Sequence, residues 1–279
     1  MVVFAGQGDP RRSLSLLWRT KGDDGGRPRT SRGPKPALSV DAIVDAGIAV
    51  ADTDGMAALS MRTVGERLGR TAMALYTYVP GKTELVDLMH DRALAELPTD
   101  YDLTPGWRSA VTSWATDTWE FYLRHPWVLQ VSQARPVLGP HEYTSLETLL
   151  RVLYTTELDS AALRRIVGAL FHFVRGAART VAESREAATA TGVSDEDWWH
   201  SRSAMLTEVV PDFAERFPLL VRLETEGAPP PPEEDADDAP YLEREARATF
   251  EAGLTVLLDG IEAAVARRAT TPTGQGPLE

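Results

Sequence analysis

Residues 60–82, SMRTVGERLGRTAMALYTYVPGK, carry two short helix signals separated by a glycine turn. Ser60 is a good N-cap for the first helix, and Gly69 is placed for a left-handed cap at its C-terminus. Thr71 can cap the second helix, which the sequence PGK ends. Two helices joined by a short glycine-containing turn form a helix-turn-helix, whose second helix enters the major groove of DNA.

Helical patterns continue on both sides of this segment. Upstream, Ser39 begins a helix with one apolar face, and the sequence DTDG at residues 52–55 ends it. Downstream, a further helix covers about residues 82–96, and few stretches alternate as strands do. The sequence therefore predicts an all-α chain with an N-terminal helix-turn-helix domain at residues 38–98.

The second short helix would present an unusual surface. Leu75 is its buried residue, and the residues that face outward or sideways are Met73, Ala74, Tyr76, Thr77 and Tyr78. A tyrosine hydroxyl can donate to a phosphate, and a threonine can contact a base edge or a thymine methyl. Surface tyrosines on packed helices also occur in proteins that do not bind DNA, and that interpretation stays open.

Positions beside this helix would assist it. Ala72 and Ala74 are small enough to let the helix approach the bases closely. Lys82 and the free N–H groups at the start of the next helix would both face a phosphate. Arg62, in the first turn of the preceding helix, can reach a base or a phosphate.

Charge is distributed unevenly along the acidic chain. The net charge is −12, but residues 1–37 hold eight Lys or Arg against three Asp or Glu. Residues 38–98 carry −4 and residues 99–279 carry −13. We predict that residues 1–37 are a disordered basic arm. Its segment GGRPRTSRGPKP either lies in a minor groove or is a solvated tail.

Composition and motifs exclude several function classes. The chain has no cysteine, so disulfides and thiolate metal sites are excluded. Its histidines lack metal-binding spacing, and no catalytic triad order or glycine-rich phosphate loop occurs, so we expect no metal, no cofactor and no enzymatic activity. No apolar run is long enough to cross a bilayer, and no signal peptide is present, so we expect a cytoplasmic protein with no membrane partner.

The run from Leu38 to about Leu97 resembles the DNA-binding domain of the TetR family of bacterial repressors. The resemblance rests on SMRTV, the following Leu-Gly, the sequence LYTYV and the later KTEL, which fall in register. It implies that DNA-facing positions are occupied by Arg62, Thr71, Ala72, Met73, Ala74, Tyr76, Thr77, Tyr78 and Lys82. Two departures from the family pattern are Arg70 in the turn and the donor-poor Ala-Met-Ala at residues 72–74.

The resemblance also implies that residues 99–279 form a helical domain that binds a small-molecule effector and dimerises. Two segments, YLRHPWVLQ and FEAGLTVLLDGIEAAVA, are similar to the subgroup nearest the tetracycline repressor. Periodicity predicts helices near residues 105–124, 126–136, 141–156, 159–189, 195–222 and 241–268. Helices 159–189 and 241–268 are apolar on more than one side, so they form either a four-helix dimer interface or a buried intramolecular pair.

Aromatic residues are concentrated in this second half. Trp107, Trp114 and Phe121 repeat every seven residues, and Phe171, His172 and Arg175 lie mid-helix. These six residues are our candidate effector pocket, with core packing as the alternative.

The leading hypothesis is a ligand-responsive repressor. It would bind a palindromic operator in double-stranded DNA as a homodimer and would be released by a small molecule. The alternatives are a helical DNA-binding protein without a ligand and an adaptor that has lost DNA binding.

Overall fold

The structure is a computed structural model of the chain, and it describes residues 3–19, 38–227 and 241–270. These residues form α-helices, one 3-10 helix (Pro126–Gln130) and a single isolated bridge, so the predicted all-α class is confirmed. The α-helices are α1 (Pro10–Leu17), α2 (Val40–Ala58), α3 (Met61–Arg67), α4 (Ala72–Tyr76), α5 (Lys82–Leu94), α6 (Trp107–Arg124), α7 (Pro140–Tyr154), α8 (Ser160–Thr191), α9 (Asp195–Val209), α10 (Phe213–Arg216), α11 (Pro218–Glu226) and α12 (Tyr241–Thr270). No helix of the described residues combines the length and the apolar character that a membrane span requires.

The chain divides into two compact units. One is Met1–Arg179 with Gly253–Glu279, and the other is Thr180–Ala252. The predicted boundary near residue 98 does not separate them, because α5 packs on both α2 and α7. Within the first unit we call residues 38–98 the head, and residues 99–179 with 253–270 the body.

The head is built around the crossing of α2 and α5. A Cβ on Gly47 would lie 2.8 Å from the sulfur of Met89, so the close approach of these helices requires glycine. Gly55 has a φ of +76° and interrupts α2, as the sequence DTDG predicted. Val64 and Leu75 bring the two short helices into the same core, because both side chains are fully buried.

Residues 3–19 correct the prediction that residues 1–37 are disordered. Asp9 caps α1 by accepting the N–H of Arg12 at 2.8 Å, and Ala5 and Leu17 are buried. The high overall content of glycine and arginine in residues 1–37 masked the local sequence signal of this short capped helix. The predicted minor-groove arm, residues 25–36, lies outside the described residues.

Two predicted helices differ from those in the structure, and prolines lie in or next to both. The helix expected at residues 126–136 is only the 3-10 helix Pro126–Gln130, and Pro136 lies in the loop that follows it. The helix expected at residues 195–222 is divided into α9, α10 and α11, with Pro211 after α9 and Pro218 at the first position of α11. Proline lacks the N–H that would continue a helix, so Pro211 and Pro218 give the breaks between α9, α10 and α11 a local cause.

The second unit differs from the first in how few of its described residues are buried. In its described part, residues 180–227 and 241–252, helices α9, α10 and α11 bury none of their residues. Arg185 donates to both carboxylate oxygens of Glu243, at 2.7 and 2.8 Å, and so ties α8 to α12 within this unit.

Candidate DNA-binding surface and effector site

The turn between α3 and α4 is fixed by caps and glycines. Ser60 and Thr63 form a reciprocal capping box at the start of α3, and Gly69 has a φ of +63°. Thr71 caps α4 by accepting the N–H of Ala74 at 3.4 Å. These caps confirm the sequence prediction. Sequence reasoning missed Gly65, where a Cβ would lie 2.8 Å from the carbonyl oxygen of Arg70.

The exposed face of α4 is the one predicted to meet DNA. Leu75 and Val79 are fully buried, whereas Met73 is 75% exposed and Tyr76 is 42% exposed. The structure leaves Thr71 and Thr77 exposed and half-buries Ala72, Ala74 and Tyr78. Thr77 is the C-cap of α4 and Tyr78 follows it, so both lie at the end of a five-residue helix.

Two cationic side chains flank this face. Lys82 is exposed at the first residue of α5, whose N-cap is Gly81 and carries no side chain to occupy the free N–H groups. Arg62 pairs with Glu66 at 2.8 Å, and both side chains are largely exposed. An exposed ion pair of this kind contributes little to stability, so Arg62 can readily leave Glu66 and pair with another anion. Arg70 uses only its backbone in the turn, and its side chain is exposed.

A second candidate site lies in the body between α6 and α8. Trp114, Thr118 and Tyr122 are spaced four residues apart and buried on one face of α6. On α8, the ring of Phe171 meets Trp114 edge-on at 5.0 Å, and the guanidinium of Arg175 lies 5.7 Å from the ring centre of Tyr122. Two aromatic contacts therefore join the helices, from successive turns of α8 to residues two turns apart on α6.

Arg175 is held by backbone carbonyls. It donates to Leu129 at 2.6 Å, to Val131 at 2.7 Å and more weakly to Val128 at 3.4 Å. The guanidinium thus fixes the end of the 3-10 helix beside the aromatic residues.

Two buried polar atoms on this face of α6, Nε1 of Trp114 and Oγ1 of Thr118, lack a hydrogen-bond partner within the described residues. So does Nδ1 of His90 on α5, whose ring is near enough to Arg175 to be affected by its charge. Burial, reinforced by the charge of Arg175, lowers the pKa of His90 to about 4, so its ring is neutral near pH 7. A buried unpaired polar atom costs about 1–3 kcal/mol, so such a group is usually met by water or a ligand.

Comparison with known proteins decides the family. The model described as "Bacterial regulatory proteins, tetR family" matches residues 43–89. The model described as "Tetracyclin repressor-like, C-terminal domain" matches residues 102–265, more than half of the chain. The chain belongs to the TetR family. It is a DNA-binding transcriptional regulator of the helix-turn-helix type.

Relatives agree with this assignment. The HTH-type transcriptional repressor DrrR1 of Streptomyces coeruleorubidus is 39% identical over 265 residues, which cover 95% of this chain and 90% of that protein. Apo ActR of Streptomyces coelicolor has the same fold, with a TM-score of 0.63, 21% identity and coverage of 85% of this chain and 100% of that one. ActR in complex with actinorhodin gives a TM-score of 0.63 at 22% identity, covering 82% of this chain and 98% of that one.

The structure places the six predicted pocket residues of this TetR-family chain in different environments. It brings Trp114, Phe171 and Arg175 together. Trp107 is half-buried at the first residue of α6, and His172 is exposed on α8, so His172 is not a buried anchor. Phe121 is fully buried against the rings of Tyr122 and His125. Sequence reasoning missed Thr118 and Tyr122, which lie one and two turns after Trp114 and are also buried.

His125, the C-cap of α6, forms a joint that sequence reasoning missed. Its Nδ1 lies 2.8 Å from Asp52 of α2, and its Nε2 lies 3.0 Å from Glu96. Trp127 donates to the same Asp52 oxygen at 2.7 Å. The hydrogen bond to Asp52 raises the pKa of His125, with Glu96 adding to it and burial opposing it. Head and body thus meet at one ionisable cluster.

Proposed function

We propose that this protein is a ligand-responsive repressor that binds a palindromic operator as a homodimer and is released by a small-molecule effector. The exposed face of α4 is the single observation that carries the proposal. A five-residue helix with a buried Leu75 and a 75% exposed Met73 has no stabilising reason to display that face to water. Its rigid capped turn suits insertion into a groove.

Recognition by this face would be largely apolar. Met73 and Ala74 offer no side-chain donors, so they suit contacts with thymine methyl groups. Tyr76 and Lys82 suit phosphates, and Thr77 is the polar group best placed for a base edge. Because phosphate contacts supply most of the affinity, binding should fall steeply with salt.

The effector would bind between α6 and α8. The buried unpaired atoms of His90, Trp114 and Thr118 favour a ligand with its own donors and acceptors, and the rings of Trp114, Phe171 and Tyr122 favour a flat aromatic one. The complex of ActR with actinorhodin supports a small-molecule ligand in a protein of this fold.

Helix α5 offers a route between the two sites. Lys82 is at its first residue beside the proposed DNA surface, and His90 lies two turns later at the proposed effector site. A ligand that moved His90 would tilt the same helix that follows α4. By linkage, DNA must then weaken effector binding by the factor by which the effector weakens DNA binding.

The homodimer would use faces of α8 and α12 that the first unit leaves uncovered. On α12, Val256 is 68% exposed, and Gly260 and Ala263 are exposed one and two turns further on. On α8, Ala169 is exposed next to the half-buried Gly168. Small residues let helices approach closely, and two such helices from each chain make a four-helix interface.

Tryptophan fluorescence tests the effector site directly. The wild-type protein is titrated with a panel of flat aromatic small molecules that carry hydroxyl and carbonyl groups, beside the His90→Leu variant, in which the polar ring is lost. We expect a panel member that quenches tryptophan fluorescence to bind at least about 10-fold more weakly to His90→Leu, since a buried polar partner is removed. Equal binding to both proteins would place the ligand elsewhere, and no binding by any aromatic member would contradict the ligand class.

A further inference from the structure

Residues 3–19 lie before the first residue that either family model matches, yet they are attached to the molecule along their whole length. We call them the N-terminal strap. Two of its attachments are to the body. The N–H of Val3 donates to Gln130 at 2.8 Å, and its carbonyl accepts from Ser132 at 2.8 Å. Near the other end, Nε1 of Trp18 donates to the carbonyl of Leu138 at 3.0 Å.

The middle and the last residue of the strap are attached to the head. The N–H of Gly6 donates to the carboxylate of Asp87 on α5, at 3.1 and 3.2 Å. Gly8 packs against the Glu84 side chain with no room for a Cβ, and α1 lies along α5. Arg19 forms an ion pair with Asp41 in the first turn of α2.

Asp87 shows how closely the strap covers α5. Its side chain is almost wholly buried, and burial raises its pKa to about 6, while the Gly6 N–H lowers it. The neighbouring carboxylates of Glu84 and Glu142 add to the rise. A buried carboxylate with one backbone donor is a costly group, so the Gly6 contact is a specific one.

The body end of the strap meets the effector site through one short segment. Val131 pairs with Val3 as a parallel bridge, and its own carbonyl accepts from Arg175 at 2.7 Å. Arg175 in turn lies against the ring of Tyr122. A continuous series of contacts therefore runs from the effector site through Val131 to the strap, and from Gly6 to α5.

We propose that the strap is a coupling element, which holds the head at one orientation on the body and transmits movement of residues 128–132 to α5. Near each of its ends the strap is attached both to the body, through Val3 and Trp18, and to the head, through Gly6 and Arg19. A rotation of α5 against the 131–139 loop must therefore break strap contacts. The regulatory meaning of this inference rests on the proposed function, but the mechanical part does not.

The absence of cysteine from the chain allows a direct test. Arg70→Cys in the head and Glu120→Cys on α6 are both exposed positions, and nitroxide labels on them report the head-to-body distance by pulsed electron resonance. Labelled protein is diluted into an excess of unlabelled protein, so that only distances within one chain are read. It is compared with a double variant, which lacks residues 2–4 and also carries Trp18→Ala. These two changes remove the contacts of Val3 and Trp18 with the body.

We expect one narrow distance population in the parent protein and a second, displaced population in the double variant. Each single change should give a smaller effect. Leu14→Ala is the matched control, because Leu14 is an exposed apolar residue of α1, and it should leave the parent distribution unchanged. Circular dichroism checks that every variant keeps its helix content. An unchanged distribution in the folded double variant would overturn the proposal.

A measurement of operator binding distinguishes a failure of the strap proposal from a failure of the proposed function. The unlabelled parent and double variant are both measured on the duplex upstream of the protein's own gene. If the parent fails to bind that duplex, the repressor proposal loses its support while the distances still decide the strap's role. If both bind it with the same affinity and the distances differ, the strap holds the head without controlling DNA binding, and the coupling role is overturned.

Discussion

At the scale of single residues, the proposed DNA-binding surface depends on a few side chains whose roles can be separated. Leu75 and Val79 hold α4 in the core, while Tyr76, Thr77 and Lys82 remain free to meet DNA. Leu75 and Val79 are buried, and the other three residues are exposed, as the helical spacing of apolar residues in the sequence predicts.

Lys82→Ala should weaken binding to all duplexes alike. The lysine is exposed at the start of α5, so we expect a phosphate contact that carries no sequence information. The slope of log affinity against log salt should fall by about one. Fluorescence anisotropy at several salt concentrations measures it, with Arg222→Ala on α11 as a charge-matched control. An unchanged slope would remove Lys82 from the phosphate contacts.

Residue-scale prediction succeeded where the signal is local. The caps Ser60, Gly69 and Thr71 were all predictable, because each acts on backbone groups within a few residues. His90 and Thr118 were not, because their unpaired state depends on which helices surround them. A single histidine on an apolar helix has no sequence mark that separates a packed residue from a ligand contact.

At the scale of elements, the short helices depend on close backbone approaches. Gly65 places α3 against the start of α4, and a Cβ there would meet the Arg70 carbonyl at 2.8 Å. The strap shows the limit of element prediction. Its helix is short but well capped, whereas its attachment to Val131 and Asp87 is far away in sequence and leaves no local pattern.

Gly65→Ala should lower the free energy of unfolding by about 1–3 kcal/mol, because the methyl group clashes with backbone that cannot move aside. Ser113→Ala on α6 is the control. It also introduces an alanine into a helix, but at an exposed position outside the proposed interface, so this change should be neutral or stabilise the fold by up to about 1 kcal/mol. Urea unfolding measures both. Equal stability of the two variants would contradict the described packing of α3 on α4.

The joint at His125 predicts a pH dependence. Because its folded pKa is raised above the unfolded value of about 6.5, the protonated ring stabilises the fold fully below that pH. The stabilisation is lost as the pH rises through the folded pKa. The groups that face the ring are Asp52, Glu96 and Trp127, and Arg124 lies 3.9 Å from Glu96.

Urea unfolding at a series of pH values above 6.5 measures this effect against His125→Asn. In that range His90 is neutral in the folded state and loses its remaining proton only in the unfolded state, which affects the parent and the variant equally, and Asp87, with a folded pKa of about 6, is mostly ionised in both states. We expect a decline of stability with pH in the parent protein and a flatter profile in the variant. Parallel profiles would show that His125 does not take up a proton in the joint.

At the scale of the whole molecule, the account needs two copies of the chain and one operator. The sequence predicted two helices that are apolar on more than one side, and the structure leaves Val256 of α12 exposed beyond the residues that face its own core. The order of the helices from α2 to α8, and α12, was predictable, whereas α1 and the division of residues 195–222 into α9, α10 and α11 were not. The division into compact units was not, because it depends on the packing of α5 on α7 rather than on any composition change at residue 98.

Val256→Glu should dissociate the dimer. Two carboxylates would be buried at the proposed interface without partners, so we expect self-association to weaken by on the order of 100-fold. Sedimentation velocity over a range of concentrations measures it. Leu103→Glu is the control, because it adds the same charge at an exposed apolar residue away from α8 and α12. Dimers that persist in Val256→Glu would place the interface elsewhere.

Binding to the duplex upstream of the protein's own gene, beside a scrambled duplex of equal composition, tests the central claim most directly. Fluorescence anisotropy is followed as salt is raised. The account predicts tight binding to the first duplex, at least about 1,000-fold weaker binding to the second, and a steep loss of affinity with salt. Absence of binding to either duplex even at low salt would contradict the proposal that the exposed face of α4 is a DNA-reading surface.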